Sequence, residues 1–387
     1  MKLEATCPGA TQVVELTPVG RGAVAVVLVA GPTAHSSVDA FFQSVRGRPL
    51  AEVPLGKIVL GRWGGPDGEE LVVCRRTEDE IEIHCHGGTA AVRSVIERLA
   101  ARSCRPTTWQ DWLRQTEADP IRAAAHIALA AAPTARTAAI LLDQFNGALG
   151  RTVRKALGEV SAGRWSKATR TLDEVLAFGD LGLHLTTPWQ VVLAGRTNVG
   201  KSSLLNALAG YQRAIVSPLA GTTRDVLTLN TAIEGWPVQL MDTAGLRETD
   251  DTLEAAGVAL AGNALSKADL VLIVHDVSDC SPAISTWARK ILVRNKIDLV
   301  SATDHRQGEQ VVGGEQSLLF TSAITGEGID SLLAAIGQAL VPRVPAAGMA
   351  VPFLAEQIAA LERARCAFEK RDLAAAATAL QSLLANK

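Results

Sequence analysis

Gly195-Arg196-Thr197-Asn198-Val199-Gly200-Lys201-Ser202 follows the apolar run 191–194 and opens a helix-like stretch over 203–208. The spacing is G-x-x-x-x-G-K-[ST], and strand, loop and helix are the setting this motif needs. Glycines let the backbone curl into a nest of N–H donors around phosphate oxygens. The helix N-terminus adds partial positive charge. Lys201 brings a full charge to the outer phosphates, and Ser202 a hydroxyl for Mg²⁺. The stretch reads as the phosphate-binding loop of a nucleoside triphosphatase.

Working outward, three shorter motifs separate GTP from ATP. Asp242-Thr243-Ala244-Gly245 follows the run 238–241. An Asp at a strand end holds a metal through water, and the Gly245 N–H meets a γ-phosphate. Asn295-Lys296-Ile297-Asp298 follows the run 291–293. The Asp298 carboxylate can accept hydrogen bonds from both N1–H and the 2-amino group of guanine. Adenine lacks that donor pair, so ATP would leave a buried charge unpaired. Thr321-Ser322-Ala323, after 318–320, is placed to donate a backbone N–H to the guanine oxygen. Each motif alone is short. Their order, each after a strand, predicts a GTPase domain.

The chain has 387 residues, with 38 Lys+Arg against 40 Asp+Glu. That balance gives no global basic field for nucleic acid, though a local patch is compatible with it. Cys7, Cys74, Cys85, Cys104, Cys280 and Cys366 are scattered without C-x-x-C. This argues against a disulfide framework or zinc knuckle and fits a reducing cytoplasm. No apolar run approaches the roughly 18 residues of a membrane span, and no signal-peptide core opens the chain. The expected location is cytoplasmic, with no membrane partner.

Along the chain, residues 1 to about 105 alternate strand-like runs with Gly/Pro turns, then give a helical pattern over 89–101. This predicts a small α+β domain. Residues 106–187 show helical spacing, as in Ile140, Leu141, Phe145 and Leu149. Residues 188–342 alternate strand and helix, predicting a parallel sheet with helices on both faces. A Pro/Gly-rich stretch, 342–352, reads as a hinge, and 343–387 returns to helix. The expected fold is an α/β P-loop GTPase domain inserted into an α-helical domain, preceded by the α+β domain. His84-Cys85-His86 is not read as a zinc cluster, because neighbours on a strand face opposite ways.

Beyond single motifs, the chain resembles the MnmE (TrmE) family of tRNA-modification GTPases over nearly its whole length. Thr17-Pro-Val-Gly-Arg21-Gly22, then a strand and Gly31-Pro32, resembles the family's N-terminal signature. Glu82-Ile-His-Cys-His-Gly-Gly88 is similar to its second. The P-loop helix through Asn206, Gly221-Thr-Thr-Arg-Asp225 and Asp242-Thr-Ala-Gly-Leu-Arg-Glu248 complete the match.

The resemblance implies how hydrolysis would proceed. Leu246 follows Asp-Thr-Ala-Gly, where Ras-like proteins carry a water-orienting Gln. Leucine cannot orient water. The family uses K⁺ as a fixed charge beside the phosphates, and its ligand positions map to Asn198, Ser217, Leu219 and Thr222. A family Glu that places the attacking water maps to Glu254, which spacing alone reads as a solvated helix face. Mg²⁺ would sit between Ser202 and Thr223. Glu254, Lys201, Arg224 and Asp225 are the implied catalytic set. The GTP-binding set is Asn198, Val199, Gly200, Lys201, Ser202, Ser203, Ser217, Thr222, Thr223, Asp242, Thr243, Ala244, Gly245, Asn295, Lys296, Asp298, Ser322 and Ala323.

The implied cofactors are GTP, Mg²⁺ and K⁺. The implied partners are a second copy of the chain, a flavin-dependent modification partner and tRNA. The family also uses a folate one-carbon donor. One of its folate ligands is an Arg, and the matching position here is Leu28, which has no charge to offer. Tyr-Thr-Gly-Glu-Asp of the family is reduced to Arg76-Thr-Glu-Asp79, and its Cys-bearing tail has no match before Lys387. Two expectations follow. The first is K⁺-dependent GTP hydrolysis coupled to wobble-uridine modification of tRNA. The alternative is a regulatory or assembly GTPase that lost the modification chemistry.

Overall fold

The computed structural model describes residues 9–18, 20, 22–211, 228–242, 265–278, 289–300 and 318–385. It divides into two compact units, Met1–Ala118 and Asp119–Lys387.

In the first unit β1 (Gln12–Glu15), β2 (Val24–Ala30), β3 (Phe42–Ser44), β4 (Ile58–Trp63), β5 (Glu69–Arg75), β6 (Glu80–His86) and β7 (Arg105–Thr107) form one sheet. Its order is β3-β4-β5-β6-β2-β1-β7. The period-2 pattern of β6 sets its faces: Ile81, Ile83 and Cys85 enter the core with Val27, Val29, Val95 and Leu99. Glu82 and His84 fall on the opposite face. Helix α2 (Thr89–Ala100) covers the core face through Val92, Val95 and Leu99. Burial pushes the Cys85 thiol up to about 11, which makes it a poor nucleophile or metal ligand. His84 meets Glu82 at 3.3 Å and His86 meets Glu69 at 2.8 Å. Among the described residues no three His, Cys, Asp or Glu gather as a metal site.

This unit runs past residue 105. β7 pairs in parallel with β1, Gln12 opposite Arg105, and α3 (Trp109–Thr116) stays with it. Thr108 caps α3 by accepting the Asp111 N–H at 3.1 Å. A three-residue Arg-Pro-Thr strand has no periodicity to read, so only its pairing reveals it.

The second unit opens with α4 (Pro120–Ala130), α5 (Ala135–Phe145), α6 (Ala148–Ser161), α7 (Trp165–Leu176) and α8 (Gly179–Leu183). Asp119 caps α4, accepting from Ile121 and Arg122 N–H, with Pro120 at the first helical turn. A six-stranded sheet follows: β8 (Trp189–Ala194), β9 (Thr228–Ile233), β10 (Trp236–Asp242), β11 (Leu270–Asp276), β12 (Lys290–Asn295) and β13 (Leu318–Thr321). Its order is β13-β12-β11-β8-β10-β9. Nearly continuous burial of β8, β11 and β12 is what a parallel sheet covered on both faces requires. α9 (Lys201–Tyr211) and α10 (Ile329–Leu340) belong to this layer, and Leu204, Leu208, Leu332 and Ile336 join its core.

The sheet is not wholly parallel, as the alternating pattern had predicted. β9 runs antiparallel to β10. Glu234 (φ 52°) and Gly235 (φ 79°) are both left-handed, and two such residues make the tight hairpin that only antiparallel strands can share.

The chain then returns to helix. α11 (Ala355–Glu369) packs on α7, and α12 (Leu373–Gln381) packs on α6 and α11. The 342–352 stretch is tied down rather than loose. Fully buried Gln144 donates to the Met349 carbonyl at 3.0 Å and accepts from Val351 N–H at 3.1 Å. Asp143 accepts from Gly348 N–H at 2.7 Å. No helix among the described residues is long and apolar enough to cross a membrane.

Candidate nucleotide site

The site forms at the C-terminal ends of the parallel strands, where such sheets bind ligands. β8 ends at Ala194 and the loop turns at Gly195. A Cβ at Gly195 would stand 2.2 Å from the Val274 carbonyl oxygen, so no side chain fits. Gly200 is left-handed (φ 91°), and a Cβ there would meet the Asn295 amide at 2.4 Å. Both glycines are dictated by close approach of neighbouring strands and loops.

Lys201 opens α9 and is 5 % exposed. Its ammonium donates to the carbonyls of Gly195 (3.1 Å) and Arg196 (2.8 Å). The charge is therefore already held inside the loop that would receive phosphates. Ser202 donates its hydroxyl to Asp242 at 2.6 Å, and Asp242, at the end of β10, is fully buried. A hydroxyl beside a carboxylate is an all-oxygen donor pair, which suits Mg²⁺. Ser203 is exposed on α9, and Val199 is buried.

Asn295 is 1 % exposed and acts as a clamp. Its amide N–H donates to the Val199 carbonyl at 3.0 Å. Its oxygen accepts from Thr321 Oγ1 at 3.2 Å and from Ala323 N–H at 3.3 Å. The phosphate loop and the loop after β13 are thus joined through one side chain. The Ala323 N–H, expected to face the guanine oxygen, is engaged with Asn295. Asp298 is exposed, and its carboxylate accepts from Ser322 Oγ at 2.5 Å. The buried member of this motif is Asn295.

Lys296 is left-handed (φ 67°, ψ 37°) and donates to the Asn198 carbonyl at 2.5 Å. It also pairs with Asp276 at 2.8 Å. Asp276 was not singled out by the sequence. That hydrogen bond from Lys296 holds its carboxyl below the usual carboxylate range, with Ser278 adding further donors against the cost of burial. The available signal was an Asp closing an apolar strand, as Asp242 does. The register that sets Asp276 opposite Asn295 is what gives it meaning.

Asn198 is exposed and left-handed (φ 64°) at the phosphate loop. Of the other sequence-derived residues, Ser217, Leu219, Thr222, Thr223, Arg224, Asp225, Thr243, Ala244, Gly245 and Glu254 lie outside the described residues, as do Arg21 and Leu246. Leu28 is 3 % exposed in the middle of its sheet, opposite Val14 and Glu82. This buried hydrocarbon side chain offers a folate no hydrogen-bond partner.

The chain is similar to proteins of known family. Residues 190–303 match the family described as 50S ribosome-binding GTPase, and residues 12–109 match the GTP-binding protein TrmE N-terminus. The tRNA modification GTPase MnmE of Symbiobacterium thermophilum is 34 % identical over 404 residues, covering 90 % of this chain and 86 % of that protein. That of Chloroflexus aurantiacus is 33 % identical over 376 residues, covering 86 % and 82 %. Among solved structures, Era of Aquifex aeolicus bound to GDP·AlF4⁻ covers 46 % of this chain and 66 % of its own, at 28 % identity and TM-score 0.31. With relatives of this identity aligned along most of its length, and with a nucleotide site built from the motifs above, the chain is a GTP-hydrolysing enzyme of the MnmE family of tRNA modification GTPases.

Proposed function

We propose that this chain couples GTP hydrolysis to modification of wobble uridine in tRNA, working with a flavin-dependent partner. The observation that carries the reading is one chain joining the TrmE N-terminus to a GTPase domain with an assembled site, as in relatives named for tRNA modification. The architecture we infer is a GTPase domain inserted into a helical domain. Its support is the packing of α11 on α7 and of α12 on α6 across the intervening sheet sequence. The test is complementation of a cell lacking its own family member, with nucleoside analysis of the tRNA. Restored modified uridine is expected. GTP turnover without any restoration would favour the alternative of a switch without modification chemistry.

The proposed mechanism uses K⁺ and Mg²⁺. Ser202 and Asp242 stand ready for Mg²⁺, with Thr223 as the second hydroxyl. Asn198, exposed at the phosphate loop, is the one K⁺ ligand that supplies a side chain, with carbonyls of Ser217, Leu219 and Thr222 completing the set. When bound, K⁺ supplies the fixed charge that an arginine finger supplies elsewhere, an effect on the order of 10³–10⁵-fold in that setting. Hydrolysis is expected to be at least about tenfold faster in K⁺ than in Na⁺ at equal ionic strength, and Asn198→Ala should erase the difference. Equal rates in the two salts would refute the K⁺ assignment.

A further inference from the structure

The pair Asp276–Lys296 bridges two loops that are far apart in sequence. Lys296 lies in the 295–298 loop after β12, and its ammonium reaches the Asn198 carbonyl of the phosphate loop. Asp276 ends β11, the neighbouring strand. One carboxylate oxygen accepts from Lys296, and the other accepts from both Ser278 N–H (3.1 Å) and Ser278 Oγ (2.9 Å). The acceptor is therefore fixed before it meets the lysine.

A plain surface ion pair would contribute little and hold neither side chain. This pair differs in three ways. Both side chains are mostly shielded, at 29 % and 23 % exposure. The carboxylate is anchored by three donors. The lysine backbone sits in a left-handed conformation that a residue with a Cβ adopts only when its surroundings impose it. Lysine otherwise loses considerable rotamer freedom when a ligand fixes it.

We propose that Asp276 is a positioning residue for guanine-nucleotide recognition. It holds Lys296 stretched between the base-reading loop and the phosphate loop, so that the cost of ordering that side chain is met before the nucleotide arrives. Asp276 also neutralises the ammonium locally, which keeps Lys296 from being drawn out of place toward phosphate. The proposal goes beyond the tRNA and K⁺ readings and depends on neither.

The test measures affinity for fluorescent GDP and GTP analogues with Asp276→Asn and Asp276→Ala, alone and combined with Lys296→Met. Both nucleotides should weaken by about tenfold and by the same factor, because the contact serves the base side they share. In the Lys296→Met background, Asp276→Asn should add less than about twofold. Asp276→Asn keeps the shape and the Ser278 contacts, so it reports even if Asp276→Ala fails to fold. Affinity unchanged within twofold, unequal effects on GDP and GTP, or an undiminished effect without Lys296 would each overturn the proposal.

Discussion

Asp298→Asn should weaken GTP binding by on the order of 10²–10⁴-fold while admitting xanthine nucleotides. With guanine bound, the carboxylate would accept from both N1–H and the 2-amino group. Hydrogen bonds to a charged partner contribute about 1.5–3 kcal/mol each; removing the charge weakens the first and the second becomes donor against donor, so the cost is about 3–6 kcal/mol. The amide of Asn still accepts from N1–H but turns a donor toward the 2-amino group. Xanthine carries an oxygen at that position and accepts this donor, so the mismatch with guanine becomes a match. Asp298 is exposed and sits on a short loop whose anchors are Asn295 and Ser322. The substitution therefore leaves the sheet beneath it intact, and loss of affinity without gain of xanthosine triphosphate would point to damage rather than recognition. Equal binding of ATP and GTP by the unaltered chain would sink the assignment outright.

Lys201→Met should abolish measurable turnover, a loss of at least about 10³-fold. Here the side chain is buried and donates to two carbonyls of its own loop. Replacing the ammonium removes the only full charge the phosphate loop brings from α9. It also strands the Gly195 and Arg196 carbonyls, and the stem of Met preserves packing while that happens. Two charge-assisted contacts to phosphate oxygens would account for about 3–6 kcal/mol of transition-state stabilisation. Single-turnover rates on purified protein, with thermal unfolding as a control on the fold, decide it. Retained hydrolysis would place the chemistry elsewhere in the molecule.

The sequence by itself determined what is local. Gly195 and Gly200 with Lys201 and Ser202 specify a loop, because left-handed turns and a helix N-terminus are set by neighbours in the chain. The alternation of Ile81, Ile83 and Cys85 fixed which face of β6 is core, and therefore that His84 and Cys85 could not share a metal. The runs ending at Asp242 and Asn295 located strand ends, and strand ends in such a sheet locate the site.

What tertiary structure alone decided was which distant residues meet. Gly200, already required by its left-handed φ of 91°, also has no room for a side chain because Asn295, 95 positions later, presses against it. Asp276 meets Lys296 only because strand register sets it opposite the preceding residue, Asn295. The 342–352 stretch looked like a hinge by composition but is fixed by Gln144, 205 positions earlier at Met349. β9 turned back on β10 through two left-handed residues, of which Glu234 gives no hint in composition. A local pattern records the conformations a segment prefers. The energy of these long-range contacts comes from burial and satisfied polar groups between segments, and it exists only once the chain has closed them together.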